Sequence, residues 1–338
     1  MTSQVPSTQW LEKTDPSDDA RYAGYGKLFA QMQAARSKKF GVGRTLHRKQ
    51  HLGLGAHLEV LDNLPAHARY GLFAKPGRYL AHVRLSNGSA DSVPDSTPDG
   101  KPRLKPDLRG YAIKVNGIDG PGALGGKTLC QDFLLVNHFW LPIRSAEEFV
   151  GIAMAGAKSP FALARHLVGR HGLVKGVKEL IYLGKAVNKR FSGFATEAFG
   201  SVAPMACGPY LVRVRLTAAS VKINLDARKN WAKDMSIRLR AGPLVHELQL
   251  QFFTDEATTP VEDLSCEWPE SQTPWVTVAR LTLAQQDTDS PQGQTMSKEI
   301  EATKFDPWAA LVTHRPVGDV ARARKAVYLV SQRARDAA

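Results

Sequence analysis

The nine residues "YLVRVRLTA", Tyr210 to Ala218, alternate apolar and polar side chains with a period of two. Successive side chains of a strand point to opposite faces, so Leu211/Arg213/Arg215 and Val212/Val214/Leu216 separate onto two faces. This is the pattern of a half-buried β-strand. Similar runs lie on either side: "HLEVLD", "RYLAHVRLS", "RGYAIKVNG", "QDFLLVN", "VKINL", "HELQLQFFT" and "WVTVARLTL". Eight strands are thus expected, and few neighbours have a helix of crossover length between them. That favours antiparallel pairing over βαβ units. Eight such strands can close into a barrel, which removes both sheet edges. The fold class is therefore α+β, a closed eight-stranded antiparallel barrel with surrounding helices.

Helices are expected in three places. Residues 1–40 read as an N-terminal helical arm. A long insertion, 147–198, contains "FALARHLVGRHGLVKGVKELIYLGKAV", with apolar positions at helical spacing loosened by Gly169, Gly172 and Gly176; two or three helices are expected there. The chain's last stretch, "DVARARKAVYLVSQRARDAA", predicts a helix over 318–336. "SNGSADSVPDSTPDGKPRLKP" and "QQDTDSPQGQTMSK" read as long surface loops. No domain-sized linker is evident, so 41–338 reads as one domain.

Of the 338 residues, 43% are apolar and 23% charged, an ordinary globular composition. Three widely spaced cysteines, Cys130, Cys207 and Cys266, suggest neither a disulfide framework nor a zinc site. No secretory signal or stretch of transmembrane length is evident, and a cytoplasmic location is expected. The net charge is +13, with six cations and no acid from Arg36 to Lys49. Such an excess suits nucleic acid, an anionic membrane surface or an anionic ligand. No nucleic-acid-binding motif accompanies it, so nucleic acid is not expected. Contact of the basic helical insertion with a membrane surface stays open, as does a homodimer.

On a helix, Arg324, Tyr328 and Arg335 share one stripe, at about 0°, 40° and 20° round the axis. A tyrosine between two arginines sits in a positive field that favours its ionised form, so its pKa of about 10 should fall. A phenolate is a good ligand for ferric iron.

Several segments together resemble the catalase superfamily. "RTLHRK" resembles the stretch around that family's distal histidine, "HVRLSNGSAD" the strand bearing an arginine and then a serine, and "DLRGYAIKV" its Asp-x-Arg-Gly strand. "DFLLVNHFWLPIRSAEEF" is similar to the strand ending in the distal asparagine, and "FDPW" followed by "RKAVY" to the region of the proximal tyrosine. These matches are collinear from about Arg44 to Arg335. The length resembles the small catalase-related haem peroxidases.

The resemblance implies haem b, ferric and ligated by Tyr328, with Arg324 beside the phenolate. It implies that His47 shuttles a proton, that Ser86 orients its ring and that Asn137 bonds the peroxide. Arg44, Arg84 and Arg335 would bind the propionates, Phe149 would pack on the macrocycle, and Asp107 would be a channel carboxylate. The implied enzyme reduces hydrogen peroxide or organic hydroperoxides through a ferryl intermediate, with an organic electron donor, as a defence against oxidative stress. Leu46, apolar, precedes the histidine where allene-oxide-forming relatives carry a hydroxyl, which leans towards peroxidase chemistry. Gly88 stands where large catalases carry an apolar side chain, which implies a wider channel. His51 and His57 match no such role and read as structural or surface residues. Isomerisation or cleavage of a fatty-acid hydroperoxide, and a non-catalytic haem-binding module, remain as alternatives.

Overall fold

The structure, a computed structural model, describes residues 5–93, 107–219, 222–224, 227 and 230–337. Its centre is an antiparallel barrel. β1 (Gln50–Val60) pairs with β2 (Gly77–Asn87), β2 with β3 (Arg109–Pro121) and β3 with β4 (Lys127–Val136). On the other flank β1 pairs with β9 (Val276–Leu283), β9 with β8 (Leu244–Phe252) and β8 with β7 (Tyr210–Ala218). The ring closes through a two-residue strand, β5 (Phe199–Gly200), which pairs with Val136 on one side and with Leu216 and Arg215 on the other. A short β6 (Met205–Cys207) forms a hairpin with β7 outside this ring.

Eight strands are therefore present, but the eighth differs from the expected one. "VKINL" is partly outside the described residues, and its described positions 222–224 form no strand. Its place in the ring is taken by β5, too short for any periodicity to reveal. Gly200 is needed there: a Cβ would stand 2.6 Å from both the His138 carbonyl and the Phe139 ring.

Period-two alternation fills the barrel. Leu54, Ala56 and Leu58 of β1, Val83 and Leu85 of β2, Tyr111 and Ile113 of β3, and Val212, Val214 and Leu216 of β7 are all buried in one core. Arg213, expected on the polar face, is buried as well. Trp268 covers it, with the guanidinium 4.6 Å from the ring centroid.

Helices surround this barrel: α1 (Asp18–Phe40), α2 (Ala146–Lys158), α3 (Pro160–His171), α4 (Leu173–Val187), α5 (Trp231–Ala241), α6 (Pro291–Ala302) and α7 (Asp319–Arg333). The insertion holds three of them. Ser145 and Ser159 cap α2 and α3, each accepting a backbone N–H of the first turn. α6 overturns a sequence expectation, since it lies in the stretch read as a loop. Ser290 caps it by accepting from Gly293 N, and Pro291 occupies the first turn, where its fixed φ suits a helix start. The final helix is shorter than expected. It stops at Arg333, so Arg335 lies in the turn beyond it.

α1 and α7 pack closely because Gly26 has no side chain: a Cβ there would lie 3.4 Å from Val330 Cγ2 and 3.5 Å from the Ala326 carbonyl. Asp319 pins their ends, accepting from Arg21, the Tyr22 hydroxyl and the Ala146 amide.

Candidate functional site

The site is set by one rung of the barrel. Register places Gln50 opposite Ser86, Ser86 opposite Gly110, and Gly110 opposite Val136. Ser86 and Gly110 therefore share one end of the barrel with Asn137, which follows β4. The loop before β1 brings His47 onto this rung.

His47 has φ +50°, a left-handed conformation uncommon outside glycine. Three hydrogen bonds hold this segment: His47 N–H donates to Gly88 O (3.0 Å), Arg48 N–H to Ser89 O (3.2 Å), and the Arg84 guanidinium Nη2 to His47 O (2.9 Å). Its Nδ1 lies 3.2 Å from Ser86 Oγ. Gly110 makes room for the ring, since a Cβ there would stand 2.5 Å from His47 Nδ1 and 2.6 Å from Ser86 Oγ. The Asp-x-Arg-Gly match had contained Gly110, but no role was assigned to it from sequence.

Burial, together with the charges of Arg84 and Arg324, pushes the imidazole down to about 3, so it is neutral. The residue as a whole is half-buried.

Asn137 is buried and oriented by β3. Its Oδ1 accepts from Arg109 N–H (2.7 Å), and its own N–H donates to Arg109 O (3.1 Å). Among the described residues its Nδ2 has no partner, so this amide end is free to donate.

α7 carries Arg324 and Tyr328, and the Arg324 charge acts on His47. Arg324 Nη2 donates to the Tyr328 hydroxyl at 3.1 Å, and the guanidinium lies 5.2 Å from the ring centroid. Phe149 of α2 stacks on Phe29 of α1, with centroids 6.3 Å apart. The loop bearing His47 and helix α7 are tied by Gln33, a buried α1 residue that sequence reading missed. Its Nε2 donates to Gly43 O and Ser331 O, and its Oε1 accepts from the Thr45 hydroxyl at 2.7 Å. One side chain thus joins the His47 loop to α7.

The three arginines expected at carboxylates do converge, and a glutamate stands among them. Arg44 Nη1 donates to Glu301 Oε1 (2.5 Å) and Arg84 Nε to Glu301 Oε2 (2.7 Å); Arg335 Nη1 reaches Glu301 O at 3.4 Å. Among the described residues, Arg335 Nε is buried with no partner. Three guanidiniums against one carboxylate leave two formal positive charges unmatched. Burial first, then Arg84 and Arg335, press the Arg44 guanidinium down to about 8, with Glu301 pulling the other way. A guanidinium does not give up its proton in a protein. The cluster therefore carries a net positive charge. Glu301 sits on α6, the helix hidden from the sequence reading.

Other expected positions have structural work. Asp107 accepts from Ser89 N–H and lies 3.6 Å from Arg109, and burial raises its carboxyl. The absent side chain of Gly88 serves close packing, since a Cβ would lie 2.8 Å from Leu108 Cβ. His51 Nε2 is bonded to Asn87 Oδ1, and His57 lies within β1. The loop after β2 is largely outside the described residues. Among the described residues, no three His, Cys, Asp or Glu side chains cluster as a metal cage.

No family model and no curated protein matches the sequence. Solved structures do match its fold. A fungal catalase superposes with TM-score 0.62 at 16% identity, over 87% of this chain and 59% of that one. Catalase A from Saccharomyces cerevisiae gives 0.66 at 16%, over 89% and 63%. A bacterial catalase gives 0.61 at 14%, over 99% and 64%. The chain spans about three-fifths of their length. By its closed barrel, its flanking helices and these superpositions, the chain has the catalase fold over most of its length.

Proposed function

We propose that the protein is a haem-dependent peroxidase related to the catalases, reducing hydrogen peroxide or small organic hydroperoxides at the expense of an organic donor. The observation that supports this reading is the set of side chains gathered at one end of the barrel. His47 is neutral and bonded to Ser86 on the rung that Asn137 follows, and α7 brings in Arg324, paired with Tyr328 and close enough for its charge to act on His47. A haem fits these residues. Tyr328 would ligate the iron, Arg324 would stabilise the phenolate, and Phe149 would pack on the ring. Arg44, Arg84 and Arg335 would bind the two propionates, whose charge equals the unmatched excess.

When bound, haem supplies the redox-active iron, and an anionic oxygen ligand favours its oxidised states. The chain's residues do the rest. Asn137 Nδ2 donates a hydrogen bond to the peroxide and orients it. With Nδ1–H donating to Ser86 Oγ, His47 offers Nε2 as a base; it accepts the peroxide's proton and returns it to the oxygen that leaves as water or alcohol.

The test is to load the purified protein with haem, record its absorption spectrum and measure peroxide-dependent donor oxidation. A ferric, tyrosinate-type Soret band and turnover well above free haem are expected. His47→Ala should lower turnover by about 100-fold or more while the band persists. A protein that takes up no haem, or an alanine variant of undiminished rate, overturns the reading.

A further inference from the structure

Helix α4 packs one side on the protein and leaves an apolar stripe on the other. On its inner side Gly176 packs on the α3 backbone, where a Cβ would lie 2.6 Å from Val168 Cα. Glu179 pairs with Arg144 at 3.2 Å, and Tyr182 stacks on Trp140 with centroids 4.9 Å apart. At 100° per residue these positions span about 180–300° round the axis. Leu173, Val177, Ile181 and Val174 fall at about 0–100°, on the opposite side. They are 70%, 41%, 54% and 71% exposed, and Phe161 on neighbouring α3 is 77% exposed. A surface helix ordinarily turns polar residues outward.

Charge identifies what this face suits. From residue 158 to 190 the chain holds eight cations and one acid, the inward Glu179. Arg170 and Lys189 are paired, with Glu147 and Glu197. The other six have no ion pair among the described residues. Lys178 and Lys185 flank the apolar stripe at about 120–140°. A second copy of this chain would bring like charge against like charge. An anionic bilayer offers hydrocarbon to the stripe and phosphate to the lysines at the same depth. No described helix is long and apolar enough to cross a membrane, so such contact would lie in the interface plane.

We propose that the outward face of the α3–α4 hairpin docks on an anionic phospholipid surface. The experiment is vesicle sedimentation of the full chain. Vesicles of phosphatidylcholine alone are compared with vesicles containing about 30% phosphatidylglycerol, at low salt and at roughly 0.5 M salt. Binding to the anionic vesicles is expected, weakened by salt, with little to the neutral ones. V177D/I181D should weaken it by about tenfold or more, since both side chains leave hydrocarbon; K178E/K185E should weaken it at low salt only. Far-UV circular dichroism checks that the variants fold, with V177S/I181S as the milder substitute.

Three results overturn the proposal: no sedimentation of the wild type with anionic vesicles, or undiminished binding by V177D/I181D and V177S/I181S. The third is a wild-type dimer that these variants convert to monomer without any vesicle binding, which would make the face a self-interface. A DNA duplex bound equally by wild type and V177D/I181D, alongside vesicle binding that ignores the apolar substitutions, would reduce the face to a basic patch.

Discussion

At the residue scale, the His47 ring depends on an absence. Gly110 leaves the space in which the imidazole and Ser86 meet. Gly110→Ala should therefore displace the ring and cost about 1–3 kcal/mol of stability through overpacking. Urea unfolding checks the stability, and peroxide turnover should fall more than stability alone explains. Glu301 has the opposite role, supplying charge where three guanidiniums converge. Glu301→Gln keeps the shape and removes the counter-charge. It should lower ligand-free stability by about 1–3 kcal/mol, a discounted figure for a broken pair, because the glutamate side chain remains 35% exposed. Denaturant midpoints of the ligand-free proteins test it; an unchanged midpoint would mean the arginines need no partner.

At the element scale, α7 works only because α1 lies close against it. Gly26→Val would put a branched side chain against Val330 and the Ala326 carbonyl, separating the two helices. The expected result is a loss of about 1–3 kcal/mol and weaker haem uptake, measured by urea unfolding and Soret titration. Arg324→Gln removes the partner of Tyr328 without touching that packing. It should lower haem affinity by about 10–100-fold, as loss of a group that orients a ligand does, with near-normal stability of the ligand-free protein. The spacing of Arg324 and Tyr328 was readable from the sequence because both lie within α7. Arg335 shares the cluster for a different reason: it sits in the turn after the helix, not on its stripe. α6 was hidden because Gly293 with Gln292, Gln294 and Thr295 around it weakens the apolar period, although Ser290–Pro291 is a helix-start signal.

At the scale of the whole molecule, several histidines are folded neutral. Burial pushes His314, His246 and His138 down to about 4 and His47 to about 3. His314 shows why: its Nε2 accepts from Leu72 N–H at 3.0 Å, a bond that protonation would abolish. In the unfolded chain these groups titrate near 6.5. Below that value the unfolded state binds more protons than the folded one, so stability falls with falling pH. The full contribution is present above pH 6.5 and is lost progressively towards the folded values. His314 alone accounts for a loss of about 2–3 kcal/mol between pH 6.5 and 4. Urea midpoints measured across that range should decline steeply, and a flat profile would contradict neutral burial. His314→Gln should flatten the curve at a cost in stability at neutral pH.

By itself the sequence determined the local periods. The alternation in Tyr210–Ala218 and its companions specified strands, and the helical stripe of Arg324 and Tyr328 specified a face, because side-chain direction follows from backbone geometry within one element. Motif resemblance then pointed to His47, Ser86 and Asn137 before any contact was known. Tertiary structure alone decided the closure by Phe199–Gly200, the room left by Gly110, the Gln33 tie and the Glu301 counter-ion. Each of these is a relation between residues far apart in the chain, made only when the barrel register brings them together, and no local period carries its trace.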